Sequence, residues 1–553
     1  MIPSSTEARA YLAQHGVIDR LQAEVAKVLK DRPADPIVAI GKALAKNGSL
    51  ISAPRSPQRS GGSKPSTPTK PKPTAVDEFG CPISDRTAAA VPGIVEYHRC
   101  VLAYARFEAW GAIVTTAEAH PGSAMAALLA ADFLQQQAGG SGPAGNDQLD
   151  AAAAALGGGD SPHQDERCPP AREGGYLKAL RATALGDFLG AYAAWFEVVR
   201  AHPADLFAVK RGQFTCIMTG RSAQLLEIAE ASTPPSSGAL GRYYDGLLAF
   251  GLEQTADLAG AEAAARRGLE REAAAAAAAA DAYASSSSSS SSSAFEEDGW
   301  LQHGLAHALY FQARPAEAID FLSARSSRWR REAWHPFLFT HLWWHLALLH
   351  AEEGHADAAL QIYDDVLWTG ADAGEMEVQL NAIGLLVRLH VRGVQGLAPR
   401  WEAVLDGIAK EGPSAYIHAY PLHNLLRLVA LLVCGRDATE LVDGLRTAAE
   451  EAKDSNPSLG DVVLPLAAAL VSLLGKGGDA LFSSDAFSAE AKASILKLRG
   501  ESGWASVAGS EEQRGFLLEL AAGPVRAGKP VAESGGAPRA AAAKDVSDAW
   551  HDV

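Results

Sequence analysis

The side chains whose type and spacing could do chemistry are two histidine pairs, His303-x-x-x-His307 and His341-x-x-x-His345. A spacing of four puts each pair on one face of a helix. If the two helices are neighbours, four imidazoles converge. Imidazole nitrogen binds zinc, copper or nickel, so the pattern is compatible with a shared metal ion. Against it stand the aromatic neighbours Trp300, Trp343 and Trp344 and the lack of any cysteine or carboxylate within the motif to orient the rings. The expectation is therefore a hydrogen-bonded, aromatic core without metal or cofactor. An intracellular metal-binding protein or an enzyme centred on His303, His307, His341 and His345 is the alternative. His335, His350 and His355 read as ordinary helix-surface or helix-end residues.

No Gly-x-x-x-x-Gly-Lys-Ser/Thr loop, Gly-x-Gly-x-x-Gly fingerprint or Gly-x-Ser-x-Gly elbow occurs. The chain is thus read as non-enzymatic. Five cysteines scattered without a Cys-x-x-Cys pair point to a reducing compartment rather than a disulfide framework. The formal charge of −16 over 553 residues disfavours nucleic acid and anionic lipid as partners. The longest apolar stretch, Val462 to Leu474, is too short to span a bilayer, and the first residues lack the pattern of a secretory signal. A cytoplasmic or cytoskeletal protein is expected.

The elements that must carry these residues read as helices throughout, so the fold class expected is all-α. Residues 1–50 form a short module. Val17, Ile18, Leu21, Val25, Val28 and Leu29 recur at helical spacing, the turn Arg32-Pro33-Ala34-Asp35-Pro36 stops that helix, and a second presents Ile37, Ile40 and Leu44. Two such helices cannot bury their faces alone, and association is the remaining route. Residues 51–76 are a basic Pro/Ser-rich linker with Arg55, Arg59, Lys64, Lys70 and Lys72 and no acid. Residues 77–528 are the helical body, with low-complexity stretches 135–175 and 272–298 read as disordered inserts, although the Ala run of the second can extend a helix past Arg271 before the disordered Ser285 to Ser293, and 529–553 a flexible tail.

Tyr11-Leu12, Val17-Ile18, Leu21 and the string Leu29 to Pro36 resemble the RIIa/Dpy-type dimerisation and docking domain. The resemblance implies an antiparallel four-helix homodimer whose groove takes an amphipathic helix of an anchoring protein. In the body, Gly186, Ala191, Trp195, Val198 and Pro203 follow the grammar of a tetratricopeptide second helix. Gly354, Ala359, Tyr363 and Val366 repeat it, after Trp343, Leu346 and Ala347 at first-helix positions. Weaker copies sit at Ala109 to Pro121 and at Ala313, Ala318 and Leu322. Asp77-Glu78-Phe79-Gly80-Cys81-Pro82-Ile83-Ser84, Trp300 to Phe321, His341 to Leu348, Ala359 to Asp364, Arg400-Trp401 and Gly509 to Arg514 resemble the tetratricopeptide repeat protein 38 family, from roughly Asp77 to Gly528. That resemblance implies an α-solenoid and no activity. Together they imply a dimeric scaffold that binds further proteins through its repeats, as a structural part of a ciliary or flagellar axoneme of radial-spoke or central-apparatus type. The basic linker, with Ser56-Pro57 and Thr67-Pro68, is a candidate contact to microtubules.

Residues 1–50 in isolation are expected to sediment as a dimer, and Leu21→Asp to abolish both dimerisation and helix capture, because a charge buried without a partner costs several kcal/mol. A helical but monomeric wild-type fragment would remove the docking reading.

Overall fold

The chain divides into two compact units, Met1–Pro71 and Lys72–Val553. The computed structural model describes residues 75–83, 88–138, 143–156, 172–236, 239–285, 297–369, 371, 373–411, 420–453, 456–474, 489–499 and 504–524, all in the second unit. The expected docking residues Val17, Ile18, Leu21, Val25, Val28, Leu29, Ile37, Ile40 and Leu44 lie outside the described residues. So do most of the linker, the serine run beyond Ser285 and the tail.

The described residues are all-helical apart from two-residue strands β1 (Ala75–Val76) and β2 (Pro82–Ile83), which pair antiparallel with Ala75 opposite Ile83. The last two residues of the expected linker are thus part of the folded body. Asp77 shapes the turn between the strands: its Oδ1 accepts from the amides of Phe79 and Cys81, each at 3.0 Å. Its Oδ2 receives Arg172 Nη1 at 2.6 Å, while Arg172 Nε donates to Asp205 Oδ2 at 2.6 Å. All three side chains are fully buried, so the hairpin is tied to two helices by an ion triad shielded from water.

The helices are α1 (Val91–Leu102), α2 (Phe107–Trp110), α3 (Ala112–Ala119), α4 (Ala124–Gln137), α5 (Asn146–Ala155), α6 (Arg172–Ala184), α7 (Phe188–Ala201), α8 (Leu206–Thr219), α9 (Ser222–Glu230), α10 (Tyr244–Gln254) and α11 (Leu258–Ser285). There follow α12 (Gly299–Phe311), α13 (Pro315–Ser326), α14 (Pro336–Glu352), α15 (Ala356–Ile362), which continues as a π-helical turn over Tyr363–Trp368, and α16 (Met376–Val391). The C-terminal part comprises α17 (Ala398–Glu411), α18 (Pro421–Val433), α19 (Thr439–Glu451), α20 (Leu464–Leu474), α21 (Ala489–Arg499) and α22 (Glu511–Ala522).

From α8 to α20 each even-numbered helix packs against the next even-numbered one, and the odd-numbered segment between them packs against both. The sequence reflects the two environments. Helix α16 is buried from Val378 to Leu389, whereas α9 buries only Leu225, Ile228 and Ala229. The turn that follows each even-numbered helix from α6 to α18 repeats one device. Gly186, Gly220, Ala256, Ala313, Gly354, Gly393 and Gly435 all have positive φ. In each case the amide of the next residue donates back to a carbonyl five residues earlier, at 2.8–3.1 Å, as in Asp187 to Ala182 and His355 to His350. This is the helix-terminating arrangement that requires one left-handed residue. The repeat residues read from sequence sit where tight pairing needs them: Ala191 and Ala359 are fully buried, and Trp195 and Tyr363 are 2% and 1% exposed. The repeats at Gly220, Ala256, Gly393 and Gly435 escaped sequence reasoning. The expected weak copy at Ala109 to Pro121 is instead the end of α2 and the short α3.

Two of the stretches read as disordered inserts contain ordered helix. Within 135–175, α4 runs on to Gln137, α5 buries Leu149 and Ala152, and α6 begins at Arg172. Alanine has the highest helix propensity, so a run poor in large side chains still forms helix where neighbours supply the packing. Within 272–298, α11 continues to Ser285, and buried Glu272 accepts the amide of Asp298 at 2.7 Å.

Alanine in the left-handed region costs roughly 1–2 kcal/mol relative to glycine. Ala256→Gly and Ala313→Gly are therefore expected to raise the urea midpoint, and Gly354→Ala to lower it. Arg172→Met should cost about 3–5 kcal/mol, because it leaves two buried carboxylates without their cation. The same denaturation series reads all four.

Candidate metal centre

Helices α12 and α14 are adjacent members of the even-numbered row, and this adjacency brings the two histidine pairs together. Each helix start is fixed locally. Asp298 caps α12 by accepting from the amides of Trp300 and Leu301 at 2.9 and 3.2 Å. At α14, Pro336 occupies the first turn and His335 Nδ1 accepts from the amide of Phe337 at 3.2 Å. His335 is thus a half-buried helix-end residue, as its sequence context suggests, and burial holds its pKa down at about 4.

His303, His307, His341 and His345 are all buried, and one nitrogen from each lies within 4.8 Å of one from every other. His345 Nε2 is 3.1 Å from His341 Nε2 and 3.2 Å from His307 Nε2. The His303 ring centroid is 4.3, 5.0 and 4.9 Å from those of His307, His341 and His345, and neither of its nitrogens has a hydrogen-bond partner among the described residues. Aromatic plates close the sides: Trp300 stacks on His303 at 4.4 Å, and Phe337 and Trp344 sit on either side of the His341 contact set at 4.9 and 5.2 Å.

The other ring nitrogens meet acceptors that come from three further helices. Asn381 on α16 donates its amide to Thr340 Oγ1 at 2.9 Å, which leaves its Oδ1 to face His341 Nδ1 at 3.0 Å. Glu512 on α22 places Oε2 3.1 Å from His345 Nδ1 and 3.2 Å from His307 Nε2. Glu253 on α10 places Oε2 3.3 Å from His307 Nδ1. An acceptor at Nδ1 holds the proton there and leaves a lone pair on Nε2. For His341 and His345 those lone pairs face each other, whereas His307, whose Nε2 also meets Glu512 Oε2, carries a proton on each nitrogen and turns an N–H toward the other two.

The electrostatics follow. Burial pushes the pKa values of His303, His341 and His345 down, and the neighbouring imidazoles push His303 and His341 further, so these rings are neutral ligands at neutral pH. Burial also opposes charge on His307, but Glu253 and Glu512 outweigh it and hold its pKa up at about 9. Burial likewise works against ionised Glu512, yet His345 and His307 hold it at about 2.

Sequence reasoning found the four histidines and left their adjacency conditional on repeat stacking. It missed Glu253, Asn381 and Glu512. Their only signal was the motif Gly509 to Arg514, and that pointed to a helix start: Ser510 and Gln513 form a reciprocal capping box at the head of α22. Arg388 on α16 then donates to the Glu512 carbonyl, and Arg392 pairs with Glu519, so the helix that brings Glu512 is clamped onto the row.

His303 and His341 also line a partly open pocket of about 190 Å³, whose wall includes Tyr104, Trp110, Lys210, Phe250, Trp300, Phe337 and Gln513. The centre therefore has one face toward packed helices and one toward a chamber. Among the described residues no helix is long and apolar enough to cross a membrane. No protein-family model matches the chain, and no solved structure matches it.

Proposed function

We propose that the protein binds one divalent first-row transition-metal ion, with His303, His307, His341 and His345 as ligands, at the wall of a chamber that admits a small molecule. The observation that carries this reading is the facing of the His341 and His345 Nε2 atoms at 3.1 Å, with His307 Nε2, which a metal would strip of its proton, 3.2 Å from His345 Nε2. Lone pairs at that separation repel unless a proton or a cation lies between them. Nitrogen ligands of a tetrahedral zinc ion stand about 3.3 Å apart, given zinc–nitrogen bonds of about 2.0–2.1 Å. The expectation of a metal-free core rested on the missing carboxylate. Glu253 and Glu512 supply two, in the orienting role that acceptors behind metal-bound imidazoles play. A dication also offsets the charge of both carboxylates, where the metal-free site has only the proton on His307 to do so. Imidazole donors without thiolate favour zinc, copper(II) or nickel over magnesium or calcium.

The body is read as a tetratricopeptide-like α-solenoid. Support comes from the alternating row of helices and from left-handed turns spaced 34 (220 − 186) and 36 (256 − 220) residues apart, close to the 34-residue unit of that repeat. A second reading, the dimeric axonemal scaffold that docks an anchoring helix, is supported by the N-terminal resemblance and by this paired-helix body. The start of α22 covers the row beside α16, so in that reading protein partners use another surface of the repeats.

Full-length protein is expected to bind one zinc or copper ion per chain, measured by elemental analysis after metal loading and desalting. His303→Gln with His341→Gln should abolish it, and Glu512→Gln should weaken it by roughly 10–100-fold. No retained metal in a folded wild-type protein, or retention in the double variant, overturns the metal reading and leaves the scaffold.

A further inference from the structure

The chamber contains one amino group, that of Lys210, for which no described residue supplies an ion-pair partner. Lys210 on α8 is only 5% exposed, yet its Nζ lies 3.8 Å over the Tyr104 ring and 4.3 Å over the Trp300 ring, and it lines the cavity. Among the described residues no carboxylate oxygen comes within the 4.0 Å of an ion pair with it. Its neighbours are otherwise engaged. Arg211 holds Asp132 at 2.5 Å, and Asp132 also accepts from Tyr97 at 2.7 Å. Asp298 spends Oδ1 on the α12 cap; its buried Oδ2 has no hydrogen-bond partner among the described residues and acts on Lys210 from beyond ion-pair distance, outside the cavity wall. Glu377 lines the chamber but stands beyond ion-pair distance from Lys210. A buried, unpaired ammonium group is costly unless a ligand completes it.

We propose that the chamber binds a small carboxylate ligand, with the Lys210 ammonium as its anchor and aromatic side chains around its apolar part. The volume accommodates such a ligand: a cavity of about 150 Å³ holds benzene, so about 190 Å³ takes a ring bearing a carboxylate. The walls match that ligand, with Trp110, Phe250, Trp300 and Phe337 offering ring faces and edges. Trp300 links the two halves of the chamber, because it contacts Lys210 and stacks on His303. A carboxylate held at Lys210 thus lies beside the histidine centre. The proposal rests on the metal reading only for what the far end of the ligand meets; the contact with Lys210 needs no metal. Burial drives Lys210 toward its neutral form, a tendency that Asp298 only partly offsets, and an entering carboxylate supplies the charge that favours the ammonium.

The test is calorimetric titration of the full chain with benzoate and with its neutral isostere benzamide, on chelator-stripped and on zinc-loaded protein. Benzoate is expected to bind stripped protein with one site per chain, and benzamide to bind about tenfold or more weaker, the difference made by a charged hydrogen bond. Lys210→Met, checked for an unchanged melting temperature, should lose the benzoate preference while binding zinc as wild type does, and Lys210→Arg should keep the preference. Equal binding of benzoate and benzamide, no benzoate binding, or wild-type benzoate affinity in Lys210→Met overturns the proposal. Lys210-dependent benzoate binding without any zinc binding removes the metal reading alone. A reduced benzyl adduct on Lys210 after benzaldehyde and borohydride, combined with no benzoate preference, overturns the anion-anchor reading. In that case the amine attacks the carbonyl carbon, water leaves to form the imine, and hydride reduces it.

Discussion

Each even-numbered helix from α6 to α18 ends on a residue forced into left-handed backbone, and the placement of every other group depends on that constraint. Reversing the chain there lets consecutive even-numbered helices lie side by side and be apolar on nearly all faces, while the odd-numbered ones need only one apolar stripe. Glycine meets the requirement at five of the seven turns; Ala256 and Ala313 accept backbone strain to meet it. Without the turn after α12 there would be no α14 beside it, and His303 and His307 would face solvent or hydrocarbon rather than His341 and His345.

The histidine centre shows how a buried polar cluster gets its specificity from outside its own elements. Four rings on two helices could adopt many tautomers. Asn381 and Glu512, from different helices, fix which nitrogen of His341 and His345 carries the proton, and Glu253 with Glu512 keeps His307 protonated on both. Since Glu512 belongs to the helix clamped by Arg388 and Arg392, docking of the C-terminal helix and completion of the centre are a single event. Loosening α22 would remove the acceptor behind His345.

Buried charge is handled in three ways within one body. Arg172 is neutralised by Asp77 and Asp205 and ties the β-hairpin to the helices; Arg211 is neutralised by Asp132 and accepts Tyr97 into the same network. The histidine centre sets one cationic ring against two carboxylates. Lys210 has aromatic faces and, among the described residues, no carboxylate at ion-pair distance, on a cavity whose wall Arg211, Asp132, His303 and His341 share. Unpaired burial is the costliest of the three, which is why a ligand rather than a structural role is assigned there.

By itself the sequence determined that the body is helical, because apolar spacing and turn glycines are local properties. Gly186 with Ala191 and Trp195, and Gly354 with Ala359 and Tyr363, could be read as paired-helix grammar for that reason, and the His-x-x-x-His pairs could be read as sharing helix faces. The same reading failed where local composition and tertiary context disagree. Alanine-rich α5 looked structureless because its stability comes from burying Leu149 and Ala152 against neighbours rather than from its own side chains. The turn at Ala256 was hidden because the left-handed residue is not glycine, and the copy at Ala313 read as a weak one for the same reason. Only the tertiary structure decided that α12 lies beside α14, that acceptors from α10, α16 and α22 reach the imidazoles, and that among the described residues no acid comes within ion-pair distance of Lys210. Those are contacts between residues far apart in the chain, set by how whole helices pack, and no local spacing encodes them.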